Sequence, residues 1–481
     1  MFQLKLRITG LNLALLLVVL MGCVQKKKHW VYFKKTCSEE CSRVLLDSLD
    51  HHAYYYSKWL NARTLLLDNY HIKALQGLPE VSEITPVLDG FRLRSSNVNE
   101  MKFSFALDQI DASAFLDKNL TGRGVKIGII DGGFLNADEK DILSHFFRKN
   151  KVKAYKDYIT PKMVQYGGSS KLDDGHGVDV WANIGGVNSE RNVQLGLATE
   201  SEFYLARTDH GKGESRSEEE YLISALEWLD SMHVKLVNIS LGYTDEFDDP
   251  LNNHLPEHIN GDYTAVTRAC QYAATERGML LVVSAGNDGA KPWKILSAPA
   301  DARGVLTVGA TSYKHWDKIS YSSIGPGSLP YLKPNVSCFS YNGTSFSAPV
   351  ITGMAACIIQ YDPNLSNSRI IEIIERSSNL YPFGNNYIGY GVPSCSKALS
   401  ILEGKVLQNQ NTLEARSKRV YLKFNSEEGI AIIFHKRDSI HVIQQDRLPF
   451  SNRVLRIQKI KEASHTTVMF KRELTEIQWI E

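Results

Sequence analysis

The sequence predicts an α/β protein: an open parallel sheet with helices on both faces, preceded by a small α+β unit and followed by a small all-β module. Three observations carry this expectation. Five short, near-continuous apolar runs lie between Val125 and Val308, as strands buried on both faces require. Between them, Tyr221, Leu222, Ala225, Leu226, Leu229 and Met232 follow helical spacing, and strand–helix alternation of this kind builds a parallel sheet through crossover helices. After Gly404 the pattern changes to short runs of alternating polarity. The 481 residues, 43% hydrophobic and 22% charged, suit a multidomain globular chain rather than a disordered one. A net charge of +2 gives no bulk signature for nucleic acid.

Taken in order, the chain begins with Lys5 and Arg7, followed by the apolar run Leu11 to Leu20. That run is too short to span a membrane and fits an export signal over residues 1–22. Leu20-Met21-Gly22-Cys23 resembles the lipobox of bacterial lipoproteins, which implies cleavage before Cys23 and lipid on its sulfur. The expected location is therefore the bacterial cell envelope, lipid-anchored at a membrane surface. Lys26-Lys27-Lys28 then reads as a solvated tether that can also touch anionic headgroups.

From Trp30 to about Val87 a strand (Trp30–Phe33), a helix (Cys41–Leu49), a second helix (His71–Gln76) and a closing strand (Val81–Val87) follow one another. Cys37 and Cys41 stand four apart before His51-His52, leaving zinc, a local disulfide and free thiols as alternatives. Cys270 and Cys357 fall in apolar helical patterns, as small buried residues do; Cys338 and Cys395 are candidates to pair. The strands of the middle region are Val125–Ile130, Phe203–Ala206, Val234–Ser240, Met279–Val283 and Val305–Val308. Six strands are expected after Gly404: Val420–Leu422, Ile430–Phe434, Ile440–Ile443, Val454–Ile457, Thr466–Phe470 and Ile477–Ile480. That last region carries 14 basic and 9 acidic residues, which reads as a solvated face.

The chemistry-bearing residues sit in the middle region. Asp131 ends the first buried strand, where open α/β sheets put their ligands. His176 stands between Gly175 and Gly177, which let other groups approach its ring closely. Ser284-Ala285-Gly286-Asn287-Asp288-Gly289 follows the strand Met279–Val283. Asn342-Gly343-Thr344-Ser345 leads into Val350–Ile359, apolar nearly all round like a buried helix, so Ser345 meets the helix's positive end. The glycine fingerprint of dinucleotide binding is missing after the first strand, and no cofactor or calcium site is readable.

These segments, in this order, resemble the subtilisin-like serine peptidases (subtilases). Val125–Gly133 is similar to the family's aspartate motif, Gly175-His176-Gly177 to its histidine motif and Gly343-Thr344-Ser345 through Pro349 to its nucleophile motif. Ser240-Leu241-Gly242 resembles the substrate-binding strand, and Ala285-Gly286-Asn287 the oxyanion asparagine segment. Gly389-Tyr390-Gly391 resembles a stretch near the end of the family's catalytic domain.

The resemblance implies a subtilisin-like fold and a serine endopeptidase with Asp131, His176 and Ser345 catalytic. It further implies Asn287 as oxyanion donor, and Ser240, Leu241, Gly242, Ser284, Ala285 and Gly286 flanking an extended protein or peptide substrate. Residues 23–100 are expected to be an inhibitory propeptide, 101–403 the peptidase domain and 404–481 the β module, with self-cleavage between about Arg92 and Phe105. With an ordinary histidine as base, activity is expected to rise through about pH 6.5–7. Val178 and Gly132 depart from the family's usual threonine or serine, and Pro334–Tyr341 resembles a shortened connection. The alternative that these departures leave is a catalytically inactive scaffold acting as a surface binding protein.

Overall fold

Seven parallel strands organise the centre of the computed structural model, which describes residues 26–48, 55–57, 61–86, 102–161, 165–167, 175–209, 216–248, 250–405, 411–470 and 473–480. The export segment and Cys23 lie outside the described residues, as does most of the expected cleavage window. The chain divides into two compact units, Met1–Asn99 and Glu100–Glu481.

In the first unit, an antiparallel sheet comprises β1 (Lys27–Phe33), β2 (Tyr55–Ser57), β3 (Ala62–Leu67) and β4 (Val81–Pro86), in the order β2-β3-β1-β4. Helices α1 (Glu39–Ser48) and α2 (Asn69–Gln76) accompany it. Asp68 caps α2 by accepting from the backbone N–H of Tyr70 and His71. The sequence reading missed β2 and β3; Val31 in the central β1 is fully buried between β3 and β4. Cys37 and Cys41 form a disulfide, which decides between the three alternatives for that pair.

The second unit holds β5 (Lys126–Asp131), β6 (Val152–Asp157), β7 (Glu202–Arg207), β8 (Leu236–Ile239), β9 (Leu280–Ser284), β10 (Leu306–Thr311) and β11 (Val336–Phe339). Their order, β11-β10-β9-β8-β5-β7-β6, makes β5 the strand from which the chain winds first one way and then the other. Open α/β sheets place their sites at the carboxyl ends beside such a switch point.

Successive strand residues face opposite sides, so each apolar strand feeds two cores. On one face Ile127, Ile129, Phe203, Leu205 and Val282 pack with α3 (His176–Gly185) and α6 (Ala348–Tyr361). On the other, Ile130, Val237, Ile239 and Leu281 pack with α4 (Arg216–Ser231) and α5 (Ala265–Thr275). Leu222, Ala225, Leu226 and Leu229 form the buried stripe of α4; Met232 lies past the helix end and is 37% exposed. In α6, residues 348–358 are all buried, so the helix is apolar on every side for want of a solvent face. A Cβ at Gly353 would stand 2.8 Å from Ile184 O, which is how closely α6 crosses α3.

The sequence reading also missed β6 and β11, the two edge strands. Cys270, Cys338, Cys357 and Cys395 are all buried and free, so the suggested pairing of Cys338 with Cys395 is not made. Cys338 Sγ lies 3.4 Å from Ser347 O instead.

Among the described residues, seven strands rather than six follow Gly404: β12 (Asn411–Ala415), β13 (Arg419–Lys423), β14 (Gly429–Lys436), β15 (Val442–Phe450), β16 (Val454–Gln458), β17 (His465–Phe470) and β18 (Glu473–Trp479). They make a five-stranded sheet, β12-β18-β17-β14-β15, and the ribbon β13-β16. The additional strand, β12, is exposed over its first four residues and pairs only with β18. Along β14, Ala431 and Ile433 face the module's own core, while Ile432 and Phe434 join Leu380, Ile388 and Met469 in a second cluster. The module is thereby docked on the peptidase part by an apolar face. Lys436 and Glu476, both buried, pair at 2.7 Å within it.

Candidate active site

Five of the predicted segments converge at the carboxyl edge of the sheet. Asp131 ends β5, Ser240–Gly242 follow β8, and Ser284–Asn287 continue β9. Ser345 lies in the single 3-10 turn Thr344–Phe346 that leads into α6. His176 is the first residue of α3, and its ring centroid is 5.3 Å from that of Phe346, the neighbour of Ser345.

Asp131 is completely buried. Its Oδ1 accepts from Gly132 N at 2.8 Å and from His176 Nδ1 at 2.7 Å, while Oδ2 is buried with no hydrogen-bond partner among the described residues. Gly177 N donates to Gly133 O at 2.9 Å, and a Cβ at Gly177 would stand only 2.6 Å from that oxygen. The glycine after the histidine therefore allows the aspartate loop to close on α3. Gly175 has open space around it and carries no such constraint.

Burial disfavours the charged imidazole of His176, but the Asp131 carboxylate beside it, with Asp179 and Asp209, outweighs that and raises its pKa to about 9. This corrects the expectation of an ordinary histidine. The difference arises because Asp131 is buried with the ring and α3 brings Asp179 one turn away.

Ser345 Oγ donates to Ser240 O at 3.3 Å, and Ser240 Oγ donates to Ser345 O at 2.9 Å. No hydrogen bond joins Ser345 to His176 among the described residues. Asn238, fully buried in β8, donates to Ser240 Oγ at 2.9 Å and accepts from Thr352 Oγ1 of α6 at 2.9 Å. The Ser345 turn is thus bonded to the end of β8 from both sides. Asn287 Oδ1 accepts from Thr344 N at 2.8 Å and Thr344 Oγ1 at 3.0 Å, which orients the amide and leaves Nδ2 without a partner among the described residues.

Leu241 and Gly242 make no backbone hydrogen bonds among the described residues, so their edge is open to an added strand. A Cβ at Gly242 would overlap Ser297 Oγ, and one at Gly286 would come within 3.0 Å of the same atom. Ser297, 3% exposed, therefore closes the floor between the two predicted substrate-binding segments. Asn238, Thr352 and Ser297 escaped the sequence reading, and Thr344 entered it only as a member of the serine motif, without its bonds to Asn287. Of the three, only Asn238 left a signal, an amide inside an otherwise apolar strand. Among the described residues, no cluster of three or more His, Cys, Asp or Glu side chains could hold a metal ion.

Residues 122–391 match the Subtilase family model (Peptidase_S8). Subtilisin NAT of Bacillus subtilis subsp. natto is 25% identical over 380 residues, covering 76% of this chain and 89% of its own length. Subtilisin BL of Lederbergia lenta is 27% identical over 297 residues, covering 58% and 95%. The Minor extracellular protease Epr of Bacillus subtilis (strain 168) is 27% identical over 302 residues, covering 60% and 40%. Among solved structures, the Clostridium perfringens CspB protease aligns with a TM-score of 0.49 at 16% identity, covering 63% of this chain and 98% of that one. With more than half of its length inside the family match, the chain belongs to the subtilase family and is a subtilisin-like serine endopeptidase.

Proposed function

We propose that Asp131, His176 and Ser345 are the catalytic triad of this endopeptidase, with Asn287 as the oxyanion donor. The observation that carries the reading is the 2.7 Å bond from His176 Nδ1 to buried Asp131, which leaves Nε2 as the proton acceptor on a ring whose centroid is 5.3 Å from that of Phe346, beside Ser345. In the reaction Ser345 Oγ must leave Ser240 O, to which it donates at 3.3 Å, and donate to that nitrogen instead. Oγ then attacks the scissile carbonyl carbon as its proton passes to Nε2. Asn287 Nδ2 and the Ser345 backbone N–H stabilise the developing oxyanion. Collapse breaks the C–N bond, His176 protonates the leaving amine, and water releases the acyl group by the same steps.

The substrate lies as an added strand along Leu241 and Gly242, with Ser240 and Ser284–Gly286 as flanking wall. Residues 1–22 direct export, Cys23 carries lipid, residues 23–100 act as propeptide and intramolecular inhibitor, 101–403 form the peptidase domain, and 404–481 the β module. Cleavage by Ser345 between about Arg92 and Phe105 would leave the anchor with the propeptide and free the peptidase. Expression of wild type and Ser345→Ala, followed by N-terminal sequencing of the large fragment, tests this. A shortened wild-type chain and an uncut variant are expected; full-length chains in both would refute self-processing.

A further inference from the structure

The β module reaches the catalytic end of the peptidase through β15. Arg447 Nε and Nη2 form a bidentate pair with Asp317 at 2.7 and 3.1 Å, and Asp317 is 2% exposed. Two residues earlier along the strand, Gln445 Oε1 accepts from Lys318 N at 3.0 Å. Asp317 and Lys318 begin a strap, residues 317–323, that has no helix or strand of its own and lies between β15 and β10, with an isolated bridge from Lys318 to Thr311 and a bond from Ala310 N to Ser322 Oγ at 2.9 Å.

The far end of the strap is bonded to the oxyanion segment. Ser323 N donates to Gly286 O at 3.1 Å, Ser323 Oγ accepts from Asp288 N at 3.0 Å, and Tyr321 O accepts from Gly289 N at 2.8 Å. These contacts bracket Asn287 on both sides. Tyr321 OH also donates to Ser340 O at 2.8 Å, and Ser340 Oγ bonds to Gly343 O in the nucleophile loop. One irregular segment therefore touches the module at one end and both catalytic loops at the other.

We propose that the C-terminal β module is a positioning element of the peptidase: Arg447 and Gln445 hold the 317–323 strap, which sets Asn287 against the Ser345 turn. The proposal rests on the peptidase reading above. An oxyanion donor is effective only when held in place before reaction, and small displacements cost large factors in rate. A strap without regular structure takes its geometry from what it leans on. Without Arg447, the buried Asp317 carboxylate loses its counter-charge, and the start of the strap must shift to find another partner.

The test uses the full chain as wild type, Arg447→Ala, Arg447→Lys and Gln445→Ala. Each is titrated with a serine-directed fluorophosphonate, so that kcat is expressed per reactive site on a peptide p-nitroanilide. Arg447→Ala should lower kcat about tenfold and Gln445→Ala about threefold, with KM within about twofold of wild type. Arg447→Lys should recover part of the loss. In an Asn287→Ala background, Arg447→Ala should add less than about twofold, because the donor it positions is gone. Unchanged kcat per site in Arg447→Ala and Gln445→Ala, or full additivity with Asn287→Ala, would overturn the proposal and leave the module a purely stabilising role. Should Arg447→Ala not fold, unchanged kcat per site in Gln445→Ala overturns it alone. A wild type that neither labels nor hydrolyses the peptide would instead refute the triad assignment.

Discussion

Hydrolysis at this site should be alkaline. In the proposed mechanism His176 must be neutral to take the Ser345 proton, and buried Asp131 with Asp179 and Asp209 raises its pKa to about 9. At pH 7 about 1% of the free enzyme would then carry the neutral base, so kcat/KM should climb about tenfold per pH unit below pH 8 and level off near pH 10. Stability should run the other way. A pKa raised in the folded state means that the Asp131–His176 pair contributes fully below about pH 6.5 and loses that contribution as pH rises through about 9. The His176 side chain is 28% exposed, and the difference between 6.5 and 9 amounts to roughly 3 kcal/mol. First-order progress curves on a peptide p-nitroanilide from pH 5 to 11, at constant ionic strength, give the activity limb. Thermal unfolding of Ser345→Ala over the same range gives the stability limb without self-digestion. Asp179→Asn should move the activity limb downward, since Asp179 is one of the charges that raise His176. A limb at pH 6.5–7 that ignores Asp179→Asn would refute the electrostatic argument. Activity that peaked near pH 4 would refute His176 as the base.

Three further outcomes follow from the geometry. Asn287→Ala should lower kcat by about 10²–10³ with little change in KM, since it removes the proposed oxyanion donor; near wild-type kcat would make Asn287 a turn residue only. Ser297→Gly should open the floor between Gly242 and Gly286, raising kcat/KM for substrates with a large apolar side chain before the scissile bond by about tenfold or more relative to alanine; a peptide library cleaved identically by both forms would contradict this reading of the floor. Lys436→Met should destabilise by about 3–5 kcal/mol because Glu476 is left buried and unpaired, while Lys436→Met with Glu476→Leu should recover most of the loss; equal melting points for wild type and the single variant would show that the pair contributes nothing.

Much of the fold was legible because the central strands are buried on both faces, which forces continuous apolar runs such as Ile127–Ile130. The edges were not. β6 has only half-buried and exposed positions, and β11 is four residues long after Lys333 and Pro334, so neither carries that signature. In the β module, Ile440 proved to be in a turn and its strand began at Val442, because Asp438 accepts from the N–H groups of Ile440 and His441. The candidate site was readable where chemistry sits in a short local motif, as at Asp131, His176, Asn287 and Ser345. Ser297 and Thr344 act by meeting residues tens of positions away, and no local pattern records that. The raised pKa of His176 was illegible for the same reason: Asp131 and Asp209 come from other strands' ends, and only the folded sheet brings them to the ring.

The central claim is that Ser345 is a nucleophile activated by His176 and Asp131, and covalent labelling tests it most directly. Wild type, His176→Ala and Ser345→Ala are treated with a fluorophosphonate at pH 9, digested, and the modified peptide is identified by mass. The account predicts stoichiometric phosphonylation of Ser345 in wild type, labelling slowed by about 10³-fold or more in His176→Ala, and none in Ser345→Ala. Wild-type protein that stays unlabelled, or labels equally fast without His176, would contradict it.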